Sequence, residues 1–259
     1  MSRTRTLGLV VPALLASACS LPSASVTPRL LFGSLDGDLA ASDSGASAST
    51  GTDELGLGGR DEAFSPRADL GWSGAHLSLS VLASSFEGSG TTAGEITIGG
   101  TTIAADRDVE SALDLSAYSG VVTWDLAPPK LVEAGLGFGV TVVDFDFALR
   151  DTGTGERVSS DELLPVPLIA ARVGVHPGRF GLTAALGYLE LSYDDTDARV
   201  IDLDLAGEMR LFGGDHRLSG RLVVGYRLFD VEADYEDDGS EVHADVAIDG
   251  PYVGLSFAF

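Results

Sequence analysis

Residues 251–259, at the carboxyl end of the chain, read PYVGLSFAF. Side chains two residues apart in a β-strand lie on the same face. Val253, Leu255, Phe257 and Phe259 therefore form one wholly apolar face, while the side chains between them are small and mostly polar. This pattern predicts a strand with one face against an apolar medium. That medium could be a protein core or lipid, and the rest of the chain has to distinguish the two.

The composition is that of a folded, acidic protein. Hydrophobic residues make up 44% of the 259 residues and charged residues 21%, which is enough apolar material for a core. The 39 Asp and Glu residues outnumber the 16 Lys and Arg residues and give a net charge of -23. Such a surface repels nucleic-acid phosphates, so we expect no nucleic-acid partner and favour divalent cations instead.

The first 18 residues have the features of a secretory signal peptide. Arg3 and Arg5 precede an apolar run over residues 7–15, and small residues occupy 16–18. The run is too short to span a bilayer, so we expect export and a single mature domain over residues 19–259. Cys19, the single cysteine, excludes a disulfide framework and a Cys-rich metal site. Ordinary cleavage after residue 18 and lipidation of Cys19 both stay open.

Beyond the leader, apolar and polar residues alternate in runs rich in Val, Leu, Thr, Tyr and Phe, separated by Gly, Pro and Asp. This period of two predicts strands, and amphipathic helix spacing is hard to find. We expect an all-β protein with about ten strands, with eight to twelve compatible with the pattern. The predicted strands are 29–40, 63–73, 76–86, 109–126, 131–149, 163–176, 180–193, 198–212, 217–234 and 242–259.

The connections between these strands are alternately short and long. Residues 73–75, 127–130, 176–179 and 213–216 are short connections, whereas 41–62, 87–108, 150–162 and 235–241 are longer and polar; residues 194–197 are the exception in length. This order predicts an antiparallel up-and-down transmembrane barrel with short periplasmic turns and longer external loops. The segment 41–62 begins with the low-complexity run ASDSGASASTG, for which we expect a flexible loop.

Two further features favour lipid outside the barrel. Several predicted strands reach the roughly nine to eleven residues that cross a bilayer at a tilt. Aromatic residues recur near strand ends on the apolar faces, as in the interfacial girdles of membrane barrels. These residues are Trp72, Tyr118, Trp124, Phe138, Tyr226, Phe229, Phe257 and Phe259.

The last strand also resembles a known family. Val253, Leu255, Phe257 and Phe259, at alternate positions and ending in Phe, are similar to the C-terminal signature of Gram-negative outer-membrane β-barrel proteins. The resemblance is specific only over these last residues, and the subfamily is not identified. It implies an outer-membrane location, contact with outer-membrane lipid, and recognition of the last strand by the barrel-assembly machinery.

Charged residues on the opposite strand faces are expected to point into the barrel. In one interpretation they line a narrow solute path and set its selectivity. In the other they pair with each other and fill a barrel too narrow to conduct. The predicted interior charges are Arg67, Asp69, Glu133, Arg172, Asp204, Glu208, Arg210, Arg221 and Arg227.

Catalytic signals are weak. His76 and Ser78 share a strand face and resemble the His-x-Ser arrangement of outer-membrane lipid A deacylases, without an assignable Glu. His243 and Asp245 resemble the Asp-His pair of outer-membrane aspartyl-type proteases, without the companion pair of Asp residues. We therefore assign no catalytic residue.

The stretch 234–239, DYEDDG, partly matches a calcium-binding loop. Asp234, Glu236 and Asp238 alternate before a glycine, but Glu236 departs from the usual residue and strands replace the flanking helices. We favour an acidic, solvated hairpin tip over a genuine cation site for this stretch. We expect no cofactor beyond weakly bound divalent cations at the acidic loops.

Three classes of function are consistent with these features. The first is a non-enzymatic outer-membrane barrel, either an envelope structural element or a small passive channel. The second is a membrane-embedded hydrolase of the deacylase or protease type. The third is a soluble periplasmic barrel, similar to lipocalins, that holds an apolar ligand.

Overall fold

The computed structural model describes residues 23–42, 50–98, 101–126, 132–193, 196–213, 218–237 and 240–259, and it is all-β over these ranges. The described residues contain no helix that is both long and apolar enough to cross a membrane. The predicted signal peptide and Cys19 lie outside the described residues.

Fifteen strands are present among the described residues. They are β1 (Ser23–Thr27), β2 (Arg29–Ser42), β3 (Thr50–Gly51), β4 (Arg60–Phe64), β5 (Arg67–Trp72), β6 (Ala75–Thr91), β7 (Ile96–Ile98), β8 (Thr101–Ile103), β9 (Asp108–Asp125), β10 (Val132–Asp151), β11 (Arg157–Val175), β12 (Phe180–Tyr193), β13 (Thr196–Phe212), β14 (Ser219–Asp237) and β15 (Ser240–Ala258). All except β7 and β8 belong to one sheet, and those two form a separate hairpin.

The sheet closes on itself into a ten-stranded antiparallel barrel. Pro28 divides the first barrel strand into β1 and β2, and the Ser65-Pro66 pair divides the second into β4 and β5. Both interruptions fit the lack of a backbone N–H in proline. The last strand, β15, pairs with β1 and β2 and completes the ring.

The predicted antiparallel barrel of ten strands is therefore confirmed. Several strands are longer than predicted: the sixth barrel strand, expected to begin at residue 163, begins at Arg157. Both ends of the described chain lie at the barrel end that carries the short connections, which we call the turn end. We call the opposite end, with the longer connections, the loop end.

The polarity of the strand faces inverts halfway along the barrel. On β10 the outward positions over residues 132–142 are apolar and mostly exposed, whereas those over 144–150 are mostly charged. The inward positions change in the opposite sense, from mainly glycine over 133–141 to buried apolar side chains over 143–149. The turn half is therefore polar inside and apolar outside, and the loop half is apolar inside and polar outside.

The same inversion occurs in other strands. On β9 the apolar side chains face inward up to Ala117 and mainly outward from Tyr118, and on β14 they face mainly outward up to Leu228 and inward from Phe229. Val121 and Val223 are exceptions that face inward. An apolar exterior suits hydrocarbon and a polar exterior suits water. The loop half is therefore built like a water-soluble barrel that continues a membrane-type barrel.

Part of the expected flexible loop 41–62 is folded onto the loop end. Residues 50–57 form the short strand β3 and a turn, with Leu55 and Leu57 buried in the same hydrophobic core as the barrel interior. The Ser111 hydroxyl donates a hydrogen bond of 2.6 Å to the backbone carbonyl of Leu55. The two leucines explain why this stretch packs although the preceding residues are of low complexity; residues 43–49 lie outside the described ranges.

Candidate functional site

A network of paired charges crosses the barrel interior in the turn half. Three arginines face three aspartates, so the formal charges balance. A tyrosine and two serines complete the hydrogen bonds. The members are Arg29, Ser65, Arg67, Asp69, Ser78, Asp202, Asp204, Arg227 and Tyr252.

Asp204 on β13 is the centre of the network. One carboxylate oxygen, Oδ2, accepts hydrogen bonds from Arg29 at 2.5 Å and from Arg67 at 3.4 Å. The other, Oδ1, accepts a hydrogen bond of 2.6 Å from the Tyr252 hydroxyl. The guanidinium of Arg29 also lies 4.7 Å from the ring centroid of Tyr252, within the range of a cation–π contact.

The other two arginines are held by further partners. Arg227, only 1% exposed, donates to both carboxylate oxygens of Asp202 at 3.3 and 3.1 Å, and to the Ser65 hydroxyl at 2.9 Å. Arg67 donates to Asp69 at 2.9–3.0 Å, and Asp69 accepts a further hydrogen bond of 2.6 Å from Ser78. A buried ion pair is tolerated when its remaining donors and acceptors are satisfied, as they are here.

A second group of charges lies nearer the turn end. Arg172 contacts Asp125 and lies 3.2 Å from Glu133. His76 lies 3.5 Å from Asp125, and His176 lies 3.7 Å from Glu133. Arg221 pairs with Glu208 at 2.9 Å. Apart from Asp125, these groups border a polar cavity of about 340 Å³ in the turn half.

The loop half of the interior contains a hydrophobic layer instead. The buried apolar side chains that its barrel strands turn inward are at most 4% exposed, and the leucines of residues 50–57 and the β7–β8 hairpin pack against them. The largest of these side chains are Leu31, Leu35, Leu82, Phe86, Leu113, Leu115, Phe147, Leu149, Phe229 and Ile248. Over the described residues, the polar cavity is therefore covered on its loop side by the charge network and then by an apolar layer.

The structure brings the nine predicted interior charges into the barrel lumen. Eight of them line the polar cavity, and Arg227 lines the smaller cavity beside it. The sequence-based list omitted Arg29, Asp202 and Tyr252. Asp202 shares its strand face with Asp204 and could have been included from alternation alone. Arg29 could not, because the Leu30-Leu31-Phe32 run after it hides the alternation.

The two resemblances to catalytic motifs lie in different parts of the barrel. His76 and Ser78 face the polar cavity, but the Ser78 hydroxyl donates to Asp69, and the carboxylate beside His76 is Asp125 rather than a glutamate. Asp245 lies near the loop end of β15, whereas the side chain of His243 lies outside the described residues.

The proposed cation-binding stretch 234–239 is described only in part. The backbone of Asp234 and Glu236 belongs to β14, but their side chains, and the whole of Asp238, lie outside the described residues. Within the described ranges, no group of three or more His, Cys, Asp or Glu residues is arranged to hold a metal ion.

One acidic residue at the loop end is held by its own loop. The Asp151 carboxylate accepts hydrogen bonds from the backbone N–H of Thr154 at 3.0 Å, from Arg107 at 2.8 Å and from the N–H of Gly153 at 2.6 Å. These donors favour the ionised form, the Thr154 N–H most of all, and lower the pKa of Asp151 to about 2.

The outer surface of the turn half carries the aromatic residues and the last strand. Val253, Leu255, Phe257 and Phe259 are all exposed there, with Phe259 68% exposed. Of the eight predicted girdle aromatics seven are exposed on the outside; the prediction was wrong for Phe229, which is 1% exposed in the interior because the strand faces invert just before it.

Comparisons with known proteins agree with this architecture. No family model matches the chain, and no curated protein matches it in sequence. Among solved structures, the outer membrane protease OmpT from Escherichia coli is similar with a TM-score of 0.51 and 11% identity, covering 91% of this chain and 97% of that one.

Two further solved structures match at lower TM-scores. A FadL homologue from Pseudomonas aeruginosa has a TM-score of 0.35 and 10% identity, covering 92% of this chain and 90% of that one. The transport unit of the autotransporter AIDA-I from Escherichia coli has a TM-score of 0.33 and 8% identity, covering 97% and 94%. Of these three, the similarity to OmpT is the one strong enough to carry an argument, and at 11% identity that argument concerns the fold alone. The chain therefore has the closed, ten-stranded antiparallel barrel fold of Gram-negative outer-membrane proteins.

Proposed function

We propose that this protein is a non-conducting, non-enzymatic barrel of the outer membrane, an envelope structural element rather than a passive channel. The observation that carries the proposal is that two layers of side chains block the barrel interior. A balanced charge network crosses the turn half, and an apolar layer fills the loop half above it.

The outer surface of the turn half supports the membrane location. Its strands expose valines, leucines and aromatic side chains that would be costly to leave in water, as a contiguous band around the barrel. Trp72 and Trp124 lie near the turn end and Tyr118 and Tyr226 lie near the middle of the barrel, as interfacial side chains would on either side of hydrocarbon. A soluble barrel with all its apolar faces inward does not account for this band.

The two interior layers would oppose ion conduction for different reasons. The charge network leaves few polar groups free to replace the hydration shell of an ion, because its arginines and aspartates already satisfy each other. The apolar layer offers water few hydrogen bonds beyond buried hydroxyls such as that of Ser84. We propose that the second layer is the main barrier.

An enzymatic function finds less support in the contacts. In a hydrolase that uses His76 and Ser78, the hydroxyl should bond to the imidazole. Here that hydroxyl donates to Asp69. We therefore propose no catalytic residue and no cofactor. Outer-membrane lipid is the partner we propose for the barrel wall. The barrel-assembly machinery is the one we propose for the last strand.

Planar-bilayer recording tests the absence of conduction. The mature protein, refolded in detergent and added to a bilayer, should give no current steps where an equal amount of a water-filled porin gives regular ones. A variant with Arg29→Ala, Arg67→Ala and Asp204→Ala should also be silent, because the apolar layer is unchanged. Reproducible steps from the unchanged protein would overturn the proposal. Current steps from the triple variant but not from the unchanged protein would mean that the charge network, rather than the apolar layer, is the main barrier to ions.

Envelope fractionation tests the location separately. The protein should sediment with outer membranes, require detergent for extraction, and migrate differently on a gel before and after heating. Recovery in the soluble periplasmic fraction without detergent would contradict the membrane location whatever the conductance.

A further inference from the structure

The barrel wall is interrupted between β11 and β12. β11 pairs with β10 along its whole length, from Arg157 to Val175, but with β12 only over residues 169–175. β12 continues beyond its last pair with β11, at Tyr188, and there pairs only with β13. Among the described residues, the β11 edge over 157–168 therefore has no strand partner, and the wall is open from this point toward the loop end.

Two prolines account for the interruption. Continuing the register beyond the Ile169–Tyr188 pair would place Pro167 opposite Glu190 and Pro165 opposite Ser192. The ladder with β10 runs through both prolines, so their missing N–H groups lie on the edge that faces β12. An edge that lacks two alternate donors is poorly suited to accept another strand, so we do not expect a protein strand to fill the opening.

The opening exposes apolar side chains that belong to the barrel interior. Leu164 lies on the same strand face as Leu168, which is 3% exposed, yet Leu164 is 47% exposed. On the facing strand, Leu191 shares its face with Leu189, which packs against the core, but is itself 51% exposed. Two leucines on inward positions are thus accessible through the wall.

The opening lies at the margin of the lipid-facing band that is nearer the loop end. Outward from β11, Leu163 and Ile169 are 64% and 71% exposed, and the two prolines between them are exposed as well. The next outward residue toward the loop end is Asp161, where the surface becomes polar. With the short turns on the periplasmic side, this margin faces the outer leaflet.

We propose that the β11–β12 opening is a lateral binding site for one acyl chain of an outer-leaflet membrane lipid. The chain enters between Leu164 and Leu191, contacts the interior at Leu168, and leaves its polar headgroup at the level where the outer surface becomes polar. The proposal rests on the membrane location proposed above. It assigns a lipid rather than a strand because the open edge lacks two alternate donors, at Pro165 and Pro167, and its lining is apolar.

Spin labels on single cysteines test this site. In a Cys19→Ser background, Leu164→Cys and Leu191→Cys are labelled after reconstitution into phosphatidylcholine vesicles. Relaxation by oxygen, which concentrates in hydrocarbon, is compared with relaxation by a water-soluble nickel chelate. Ile169→Cys is the control for a lipid-facing position, Ser159→Cys for water, and Ala117→Cys for a buried position.

The expected result is an oxygen-to-nickel ratio at both leucine positions equal to that at Ile169→Cys. A ratio like that at Ser159→Cys means a water-filled opening, and low relaxation by both agents, as at Ala117→Cys, means that the wall is closed; either result overturns the proposal. If the Ile169→Cys control itself is exposed to water, the membrane location fails instead. The two failures are therefore distinguishable.

A second variant tests the cause of the opening. Pro165→Val with Pro167→Val restores the two donors and should let β11 and β12 pair up to Ser192. Labels at Leu164→Cys and Leu191→Cys should then lose their relaxation by oxygen and become like Ala117→Cys, with the label at Ile169→Cys unchanged. Unchanged oxygen access at both leucine positions would refute the assignment of the opening to the prolines.

Discussion

Removing the carboxylate of Asp204 should destabilise the barrel strongly. Asp204→Leu leaves Arg29, whose side chain is 2% exposed, with the two oxygens of Ser65 and the ring of Tyr252 as partners but without the carboxylate that balances its charge. Arg67 is less affected, because it keeps Asp69 at 2.9 Å. Breaking a buried pair by removal of one partner costs about 3–5 kcal/mol, since an uncompensated charge stays buried. We expect a loss of this size in the free energy of unfolding.

Replacing both partners should recover most of that loss. In the double variant Arg29→Met with Asp204→Leu no unpaired charge is left, and a hydrophobic pair of similar size is often neutral against a buried ion pair. The remaining cost is the Tyr252 hydroxyl, which loses its acceptor and contributes about 1–3 kcal/mol. The double variant should therefore be more stable than Asp204→Leu alone.

Equilibrium unfolding by denaturant in detergent micelles, followed by tryptophan fluorescence, measures these differences. Glu110→Gln is the matched control, because the Arg150–Glu110 pair at 3.5 Å has both side chains 61% exposed. Its loss should cost no more than about 1 kcal/mol. If Asp204→Leu is as stable as this control, the network does not hold the interior together. If the double variant is the least stable of the three, the argument from an unpaired charge is wrong.

Three further predictions concern the ends of the barrel. Deleting Phe259 should lower the yield of inserted protein in cells while protein refolded in detergent keeps its heat resistance; equal insertion would leave Phe259 as an ordinary girdle residue. Calcium or magnesium should raise the thermal midpoint in detergent more than sodium at equal ionic strength, because cations bridge the crowded acidic loops, whereas identical effects would indicate screening alone. The folded-state pKa of Asp151, about 2, is below its ordinary value of 3.8. The stabilisation it contributes over Asp151→Asn should therefore be complete above that ordinary value and lost as the pH falls to about 2, and a difference that does not change with pH would contradict this.

The sequence predicted the barrel because its signals are local. Alternation over a few residues sets the two faces of a strand, and short connections such as His176-Pro177-Gly178-Arg179 set antiparallel neighbours. Alternation and connection length are both properties of a single segment of the chain, so they do not depend on how the strands later pair. The same alternation carries the inversion of the faces: on β10 the apolar residues are at even positions up to Val142 and at odd positions from Val143. If each strand is assumed to keep one alternation pattern along its whole length, this inversion is lost. Phe229 is then predicted on the outer face of the barrel, although it lies in the interior.

The tertiary structure alone decided which side chains meet. Asp204 contacts Arg29 across 175 positions of sequence, a contact fixed by closure of the ring and by the stagger of its strands. The fold likewise decided that Leu55 packs into the barrel and that the ladder beyond the Ile169–Tyr188 pair stays open. Alternation determines the face on which a residue lies, but it contains no information about how far one strand is shifted against the next. That shift depends on the free energy of the whole closed sheet, which no single segment of the sequence specifies.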